Sequence, residues 1–172
     1  MFIQMSGFPG SGKSTLACEI AKRTGAVIID HDIVKSALLQ SIYDASIDPK
    51  VAGGIAYNID WALIDFHLAS GHSVILDSPC LYDEMVEKGT ALTEKHQVKY
   101  KYVECVLNDF TEINRRLKNR ERMVSQIEEI KSEAAFLHTV QHSKKPHIRI
   151  CTVETNQPLK NYIEEVMDYI YS

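Results

Sequence analysis

Gly7-Phe8-Pro9-Gly10-Ser11-Gly12-Lys13-Ser14 is the stretch that decides how this chain folds. It matches the phosphate-cradling pattern GxxxxGK[ST] at every fixed position. Glycines let the backbone turn tightly, so that successive N–H groups point inward at phosphate oxygens. A helix that starts at Lys13 adds its partial positive charge at the same spot. In such a loop the lysine neutralises charge between the β- and γ-phosphates, and the serine hydroxyl ligates magnesium. Gly7, Pro9, Gly10, Ser11, Gly12, Lys13, Ser14 and Thr15 are therefore the expected nucleotide-binding residues.

Outward from the loop, apolar runs and turn signals alternate as strand and helix, the pattern of a doubly wound parallel sheet. Phe2–Met5 is the first predicted strand, and the helix after the loop runs to about Arg23 with Gly25 as its stop. Ala26–Ile29 is the second strand, followed by a helix over Ile33–Leu39 and a loop over Tyr43–Lys50. A longer helix covers roughly Val51–Ser70, with Ile55, Ile59, Leu63 and Phe66 at helical spacing. Ser73–Leu76 is the third strand, and the helix over Leu81–His96 is expected to kink or split near Gly89. Tyr100–Leu107 is the fourth strand, with a basic helix to about Arg122 after it. Ser125–Leu137 then reads as helical through Ile127, Ile130, Ala134 and Leu137. Ile148–Val153 is the fifth strand, and the last helix buries Leu159, Ile163, Val166, Met167 and Ile170.

The 172 residues fit one domain, spanning 1–172, with a real core. No apolar stretch approaches the ~20 residues of a membrane helix. The four cysteines, Cys18, Cys80, Cys105 and Cys151, are far apart and form no CxxC pair. They read as small buried hydrophobes in a reducing compartment, so a cytoplasmic location is expected. The net charge of −4 argues mildly against a partner held mainly through nucleic-acid phosphates. The signature LSGGQ is absent, and Asn108-Asp109 lacks the lysine and the spacing of a guanine-reading NKxD.

Two acidic clusters fall at the predicted carboxyl ends of strands, where open parallel sheets bind ligands. In Asp30-His31-Asp32, Asp32 is the candidate base for an acceptor hydroxyl, or else a helix cap. Asp30 is a second candidate on the acceptor side, or an organiser of magnesium-bound water; His31 reads as a bystander. Asp77, ending Val74-Ile75-Leu76, resembles a magnesium-holding aspartate, with a plain turn residue as the alternative. Arg116 and Arg120 are four apart on a predicted helix and would share one face, either as lid arginines or as part of a solvated basic face. The lid is expected over about residues 115–137. In Thr155-Asn156-Gln157-Pro158 an adenine ring finds a resting place at Thr155 and Pro158, or the stretch is only a helix-start turn. The acceptor site is expected within about residues 32–70, with Lys35, Tyr57, Trp61 and His67 as candidates; core packing explains the aromatic positions equally well.

GFPGSGKST, Asp32-Ile33-Val34-Lys35, SVILDSP, RRLKNR and TVETNQPL together resemble a bacterial family of small ATP-binding P-loop kinase-like proteins, carried under the label of AAA-domain ATPases. That family is related to the kinase domain of phage polynucleotide kinase and, more distantly, to shikimate, gluconate and chloramphenicol kinases. The resemblance implies a three-layer α/β/α sandwich whose five-stranded parallel sheet has the nucleotide-kinase-like order 2-3-1-4-5. It implies a general base at Asp32, lid arginines at Arg116 and Arg120, and a DxD acceptor motif at Asp30 and Asp32. Lys35 stands where the polynucleotide kinase has arginine, which removes a bidentate phosphate contact.

The expected activity is transfer of the γ-phosphoryl group of ATP, with Mg2+, to a hydroxyl of a small molecule. Lys13, Asp32, Arg116 and Arg120 are the expected catalytic residues. Asp30, Asp32, Lys35 and Tyr57 are the acceptor contacts, and Ser14 and Asp77 the metal ligands. A polynucleotide 5′-hydroxyl kinase and a nucleotide-hydrolysing switch acting through a protein partner are the alternatives.

Overall fold

Alternate residues of β1 (Phe2–Ser6) face opposite sides of a sheet, and both sides are buried. Such two-sided burial is the mark of a central strand in a parallel sheet. The computed structural model describes residues 1–42 and 47–172. Its five strands are β1, β2 (Val27–Asp30), β3 (Val74–Asp77), β4 (Tyr100–Val106) and β5 (Cys151–Glu154). All pairings are parallel, in the order β2-β3-β1-β4-β5. The expected sandwich and strand order are therefore the observed ones.

Ile3 and Met5 pack on one face with Leu16, Ala17 and Ile20 of α1 (Lys13–Thr24) and with Ile163, Val166 and Ile170 of α7 (Ile163–Tyr171). Phe2 and the β3 residues Val74 and Leu76 pack on the other face. Their partners there are Trp61, Ile64 and Leu68 of α3 (Pro49–Ala69) and Met85 of α4 (Asp83–His96). α2 (His31–Ser41) follows β2 without a gap and lies against α3. α5 (Phe110–Asn119) and α6 (Glu133–Gln141) close a smaller cluster of Leu107, Ile113, Leu117 and Phe136. A 3-10 turn over Leu159–Asn161 leads into α7. Among the described residues no helix is long and apolar enough to cross a membrane.

Several expectations are corrected. α3 begins at Pro49, not Val51: Asp48 caps it by accepting from the Lys50 N–H, and proline suits the first helical position. Residues 43–46 of the expected Tyr43–Lys50 loop lie outside the described residues. α3 also turns a different face inward. Ala52 and Ala56 let it approach the protein, Trp61, Ile64 and Leu68 fill the space, and Ile55, Ile59, Leu63 and Phe66 are exposed. α4 runs unbroken through Gly89, because that glycine serves contact rather than bending: a Cβ there would meet Gln4 Oε1 and the Tyr100 hydroxyl at 2.8 Å each.

Residues 125–132 are not helical. Asn114 captures both backbone groups of Ile130, donating to its carbonyl at 3.2 Å and accepting its N–H at 2.7 Å. α6 starts only after Ser132, whose hydroxyl caps it, and buries Phe136 in place of the expected Ala134 and Leu137 face. Cys18 is exposed on α1, whereas Cys80, Cys105 and Cys151 are buried and all four are free.

Gly89→Ala tests the close approach of α4 to the sheet. Alanine favours helix by roughly 1 kcal/mol, but the clash with buried Gln4 and its hydrogen-bonded partner, half-buried Tyr100, outweighs it. A net loss of about 1–3 kcal/mol in urea unfolding is expected. An unchanged or higher midpoint would show that the contact yields freely.

Candidate functional site

The loop from Gly7 to Gly12 crosses the end of β4 so closely that only glycine fits at its start. Gly7 has φ 131°, and a Cβ there would sit 2.3 Å from the Cys105 carbonyl oxygen. Gly10 and Gly12 hold φ near 87° and 88°, left-handed values that let the backbone turn into α1. Lys13 is buried and its ammonium donates to the Phe8 carbonyl at 3.2 Å. Thr155 braces the loop from behind: its hydroxyl donates to the Ser11 carbonyl at 2.7 Å, and its own carbonyl accepts from Arg116 Nη2 at 2.7 Å.

Pro9, Gly10, Gly12, Lys13, Ser14 and Thr15 line a cavity of about 1190 Å³. Asp30, His31, Asp32, Asp77, Lys35, Tyr57, Trp61, Arg116 and Arg120 line it too. That volume exceeds the ordinary range for one small ligand, roughly 300–1,000 Å³, so a nucleotide and a second molecule fit together. Gly7, Ser11, Thr155, Pro158 and His67 do not line it. Ser11 and Thr155 are buried behind the loop, and Pro158 precedes the 3-10 turn.

β2 and β3 both end in aspartate at the same register, Asp30 opposite Asp77. Burial, and then the charge of Asp77, pushes the Asp30 carboxyl up to about 6. One Asp30 oxygen accepts from the N–H groups of Asp32 (2.8 Å) and Ile33 (3.3 Å), so Asp30 also caps α2. The cap expected at Asp32 is therefore at Asp30. Burial raises the Asp77 carboxyl as well, opposed by the neighbouring Lys13 ammonium and Ser14 hydroxyl. Asp32 is held from across the cavity, with Gln126 Nε2 donating to Oδ2 at 2.9 Å and the Ser125 hydroxyl 3.4 Å from Oδ1.

The two arginines reach the cavity by different routes. Arg116 lies on α5, fixed by Glu112 at 2.7 Å and by the Thr155 carbonyl. Arg120 lies past the end of the helix in extended backbone, which corrects the shared helical face. Its Nη2 donates to the Ile127 carbonyl at 2.8 Å, while Nε is buried without a hydrogen-bond partner.

His31, read from sequence as a bystander, is built into the site. Its Nδ1 lies 2.7 Å from buried Asp60 Oδ2, and its ring stacks on Tyr57 at 3.8 Å. The Tyr57 hydroxyl in turn pairs with Ser78 at 2.9 Å. Asp60, Ser78, Ser125 and Gln126 were not singled out in the sequence. An aspartate inside the apolar run of α3 was the one available signal for Asp60. Lys35 extends toward α3, its ammonium 3.6 Å from where a Gly53 Cβ would lie.

No group of three or more His, Cys, Asp or Glu among the described residues converges to hold a metal. Magnesium does not need one: it takes one or two carboxylates and completes its shell with phosphate oxygens and water. A buried Asp77 beside the Ser14 hydroxyl fits that requirement.

The Asp30 carboxyl predicts a pH-dependent stability. Its folded pKa is raised, so the native state binds more protons than the unfolded chain between roughly pH 4 and pH 6, and this group's contribution declines as pH rises through that window. Asn caps helices as well as Asp does. Asp30→Asn should therefore stabilise the protein by about 1–2 kcal/mol at pH 8 and by little at pH 4. Urea unfolding at both pH values checks it; equal effects at both would refute the raised pKa.

The family model described as AAA domain matches residues 2–140. No curated protein matches this chain. Among solved structures, a candidate kinase from Chloroflexus aurantiacus j-10-fl is 17% identical, with a TM-score of 0.76 over 98% of this chain and 97% of that one. A gluconokinase from Sinorhizobium meliloti 1021 is 19% identical (TM-score 0.61; 98% of this chain, 90% of that). The Mycobacterium tuberculosis APS kinase CysC, in complex with AMPPNP and APS, is 14% identical (TM-score 0.65; 99% of this chain, 97% of that). Identities at this level speak for a shared fold.

Proposed function

The chain belongs to the AAA domain family, and from that membership and the site's geometry we propose that it is an ATP-dependent phosphotransferase acting on a hydroxyl of a small molecule. One observation carries the reading: a single cavity of about 1190 Å³ is lined by the phosphate cradle together with Asp32, Lys35, Tyr57 and Trp61. A hydrolase needs room only for water beside the γ-phosphate. Here the same cavity also takes in Lys35, Tyr57 and Trp61, more room than water needs.

The phosphates of ATP lie in the Gly10–Ser14 loop, against its N–H groups and the N-terminus of α1. Lys13 releases the Phe8 carbonyl and pairs with the β- and γ-phosphates. Ser14 and Asp77 would hold a magnesium ion, which when bound neutralises charge on the same oxygens. The acceptor hydroxyl approaches the γ-phosphorus from the Tyr57 side, and Asp32 accepts its proton. A bond forms between the acceptor oxygen and the phosphorus. The bond to the β–γ bridging oxygen breaks, and ADP leaves with that electron pair. Arg116 and Arg120 meet the equatorial oxygens, where charge develops. The unpartnered Arg120 Nε supports this role, because a buried cationic donor without an acceptor gains most from an arriving anion. The segment over residues 115–137 acts as the lid, and Gln126 brings it onto Asp32. Asp60 and Tyr57 hold His31, the residue before the base, and so position the acceptor wall.

The test is incubation with γ-labelled ATP, magnesium and a panel of nucleosides, 5′-hydroxyl oligonucleotides, sugars, hydroxy acids and hydroxylated antibiotics. Label is expected on one small-molecule acceptor. Asp32→Asn should keep ATP binding and lose transfer by ~10²-fold or more, while Lys13→Ala abolishes it. Label found only as free phosphate would overturn transfer in favour of hydrolysis. Label on the oligonucleotide, falling steeply with salt, would replace the small molecule by a nucleic-acid end.

A further inference from the structure

Among the described residues, the side-chain oxygens of Asp32 meet donors only from the segment after α5. Gln126 Nε2 donates to Oδ2 at 2.9 Å. The Ser125 hydroxyl stands 3.4 Å from Oδ1 and donates more closely, at 3.1 Å, to the Asp32 carbonyl. The segment is built to hold this pose. Gln126 Oε1 accepts from the Met123 N–H at 3.2 Å, so the amide oxygen is engaged within the loop and its NH2 is the end that reaches the carboxylate. The Gln126 carbonyl accepts from Arg122 Nη1 at 3.2 Å, and the Ile127 carbonyl from Arg120 Nη2 at 2.8 Å, so two guanidinium groups clip the loop. Ser125 is tied to α2 as well: its N–H donates to buried Ser36 Oγ at 3.2 Å, and the Ser36 hydroxyl donates to its own at 2.9 Å. Asp32, Met123 and Gln126 all line the cavity.

A base that serves an acceptor needs an oxygen free for the acceptor's O–H. The Gln126 amide is the same kind of partner, a neutral donor aimed at a carboxylate oxygen, with one difference: it does not give up its proton. We propose that Gln126 is a latch on the base, holding Asp32 Oδ2 until an acceptor hydroxyl replaces the amide, and so makes the site select its acceptor over water. The inference rests on the reading of Asp32 as the base of phosphoryl transfer.

The competing reaction is hydrolysis. In it a bond forms between a water oxygen and the γ-phosphorus, and the bond from that phosphorus to the β–γ bridging oxygen breaks. ADP leaves with the electron pair, and Asp32 takes one proton of the water. The phosphate cradle serves either nucleophile equally, since it holds only the triphosphate. Discrimination therefore has to come from the side of the base. A hydrogen bond to an ionised group shifts a population by about 10-fold to 100-fold, so Oδ2 is mostly occupied while the acceptor is absent. A water molecule has little to set against that bond. An acceptor that also meets Lys35, Tyr57 and Trp61 has several contacts, and their binding energy turns the amide aside.

Release of free phosphate from ATP and magnesium, with no acceptor present, tests the latch. The variants are Gln126→Ala and Gln126→Met, the second keeping the length of the side chain without its amide. Gln126 is a half-buried loop residue, so both variants should keep the urea midpoint and the ATP affinity of the wild type. The wild type should release phosphate slowly. Both variants should release it about 10-fold faster or more, and adding Asp32→Asn to Gln126→Ala should abolish the gain. Unchanged or slower release in both variants overturns the latch and makes Gln126 a permanent support of the base. A gain that survives Asp32→Asn overturns it too, because Gln126 then acts through something other than Asp32. The reading beneath the latch fails differently: rapid wild-type hydrolysis that Asp32→Asn leaves untouched removes the base itself, and the latch with it.

Discussion

Two carboxylates at the ends of neighbouring parallel strands are the constraint around which the rest of this molecule is arranged. Asp30 and Asp77 stand in register, and adjacent strands lie about 4.8 Å apart. Two like charges at that distance repel by roughly 3 kcal/mol at an effective dielectric of 20. Burial adds to the cost, as the raised Asp30 and Asp77 carboxyls show. Positive charge has to be near. Lys13 and the N-terminus of α1 supply part of it to Asp77, and the N–H groups that open α2 supply part to Asp30. Strand order follows from this need: β1 sits beside β3, so the loop leaving β1 delivers Lys13 to the Asp77 edge.

The phosphate cradle is supported on its other side by rigid elements. Gly7 lies against the Cys105 carbonyl of β4, and Thr155 ties Ser11 to the end of β5. Arg116 then hangs from Thr155 and Glu112, so one arginine at the cavity inherits the rigidity of the sheet. Arg120 does not. It lies beyond the last turn of α5, on a segment joined to the acceptor side through Ser125 and Gln126. The two cations thus differ in mechanical status: Arg116 is fixed before any ligand arrives, and Arg120 moves with whatever moves the 120–131 segment.

The parts legible in the sequence were those governed by local rules. The glycine-rich loop announces itself through left-handed backbone that only glycine supplies, and β2 and β3 through short β-branched runs ending in aspartate. The parts that were not legible depend on side chains far apart in the chain. Helical spacing made Ile55, Ile59, Leu63 and Phe66 look like a core face, since periodicity says that a stripe is apolar but not what it meets. The inward face carries alanines and an aspartate beside Trp61, Ile64 and Leu68, and what it meets is distant in the chain, as His31 is from Asp60, 29 residues away. Residues 125–132 carry a helical pattern, yet Asn114 takes the backbone groups of Ile130 and Asp32 takes Gln126. No local signal reports such captures.

The same distinction separates what is general in this site from what is particular to it. Lys13, Ser14, Asp77 and the loop glycines answer to phosphate chemistry, and any chain that handles a triphosphate this way needs them at this spacing. The remaining walls of the cavity answer to nothing so universal. They are drawn from α2, α3 and the segment after α5, joined by side-chain contacts: His31 to Asp60 and Tyr57, and Ser125 and Gln126 to Ser36 and Asp32. A wall built this way is re-shaped by a few substitutions without disturbing the sheet. The shape of these walls is therefore the property that this architecture leaves freest, and α3 contributes to it through Gly53, Tyr57 and Trp61.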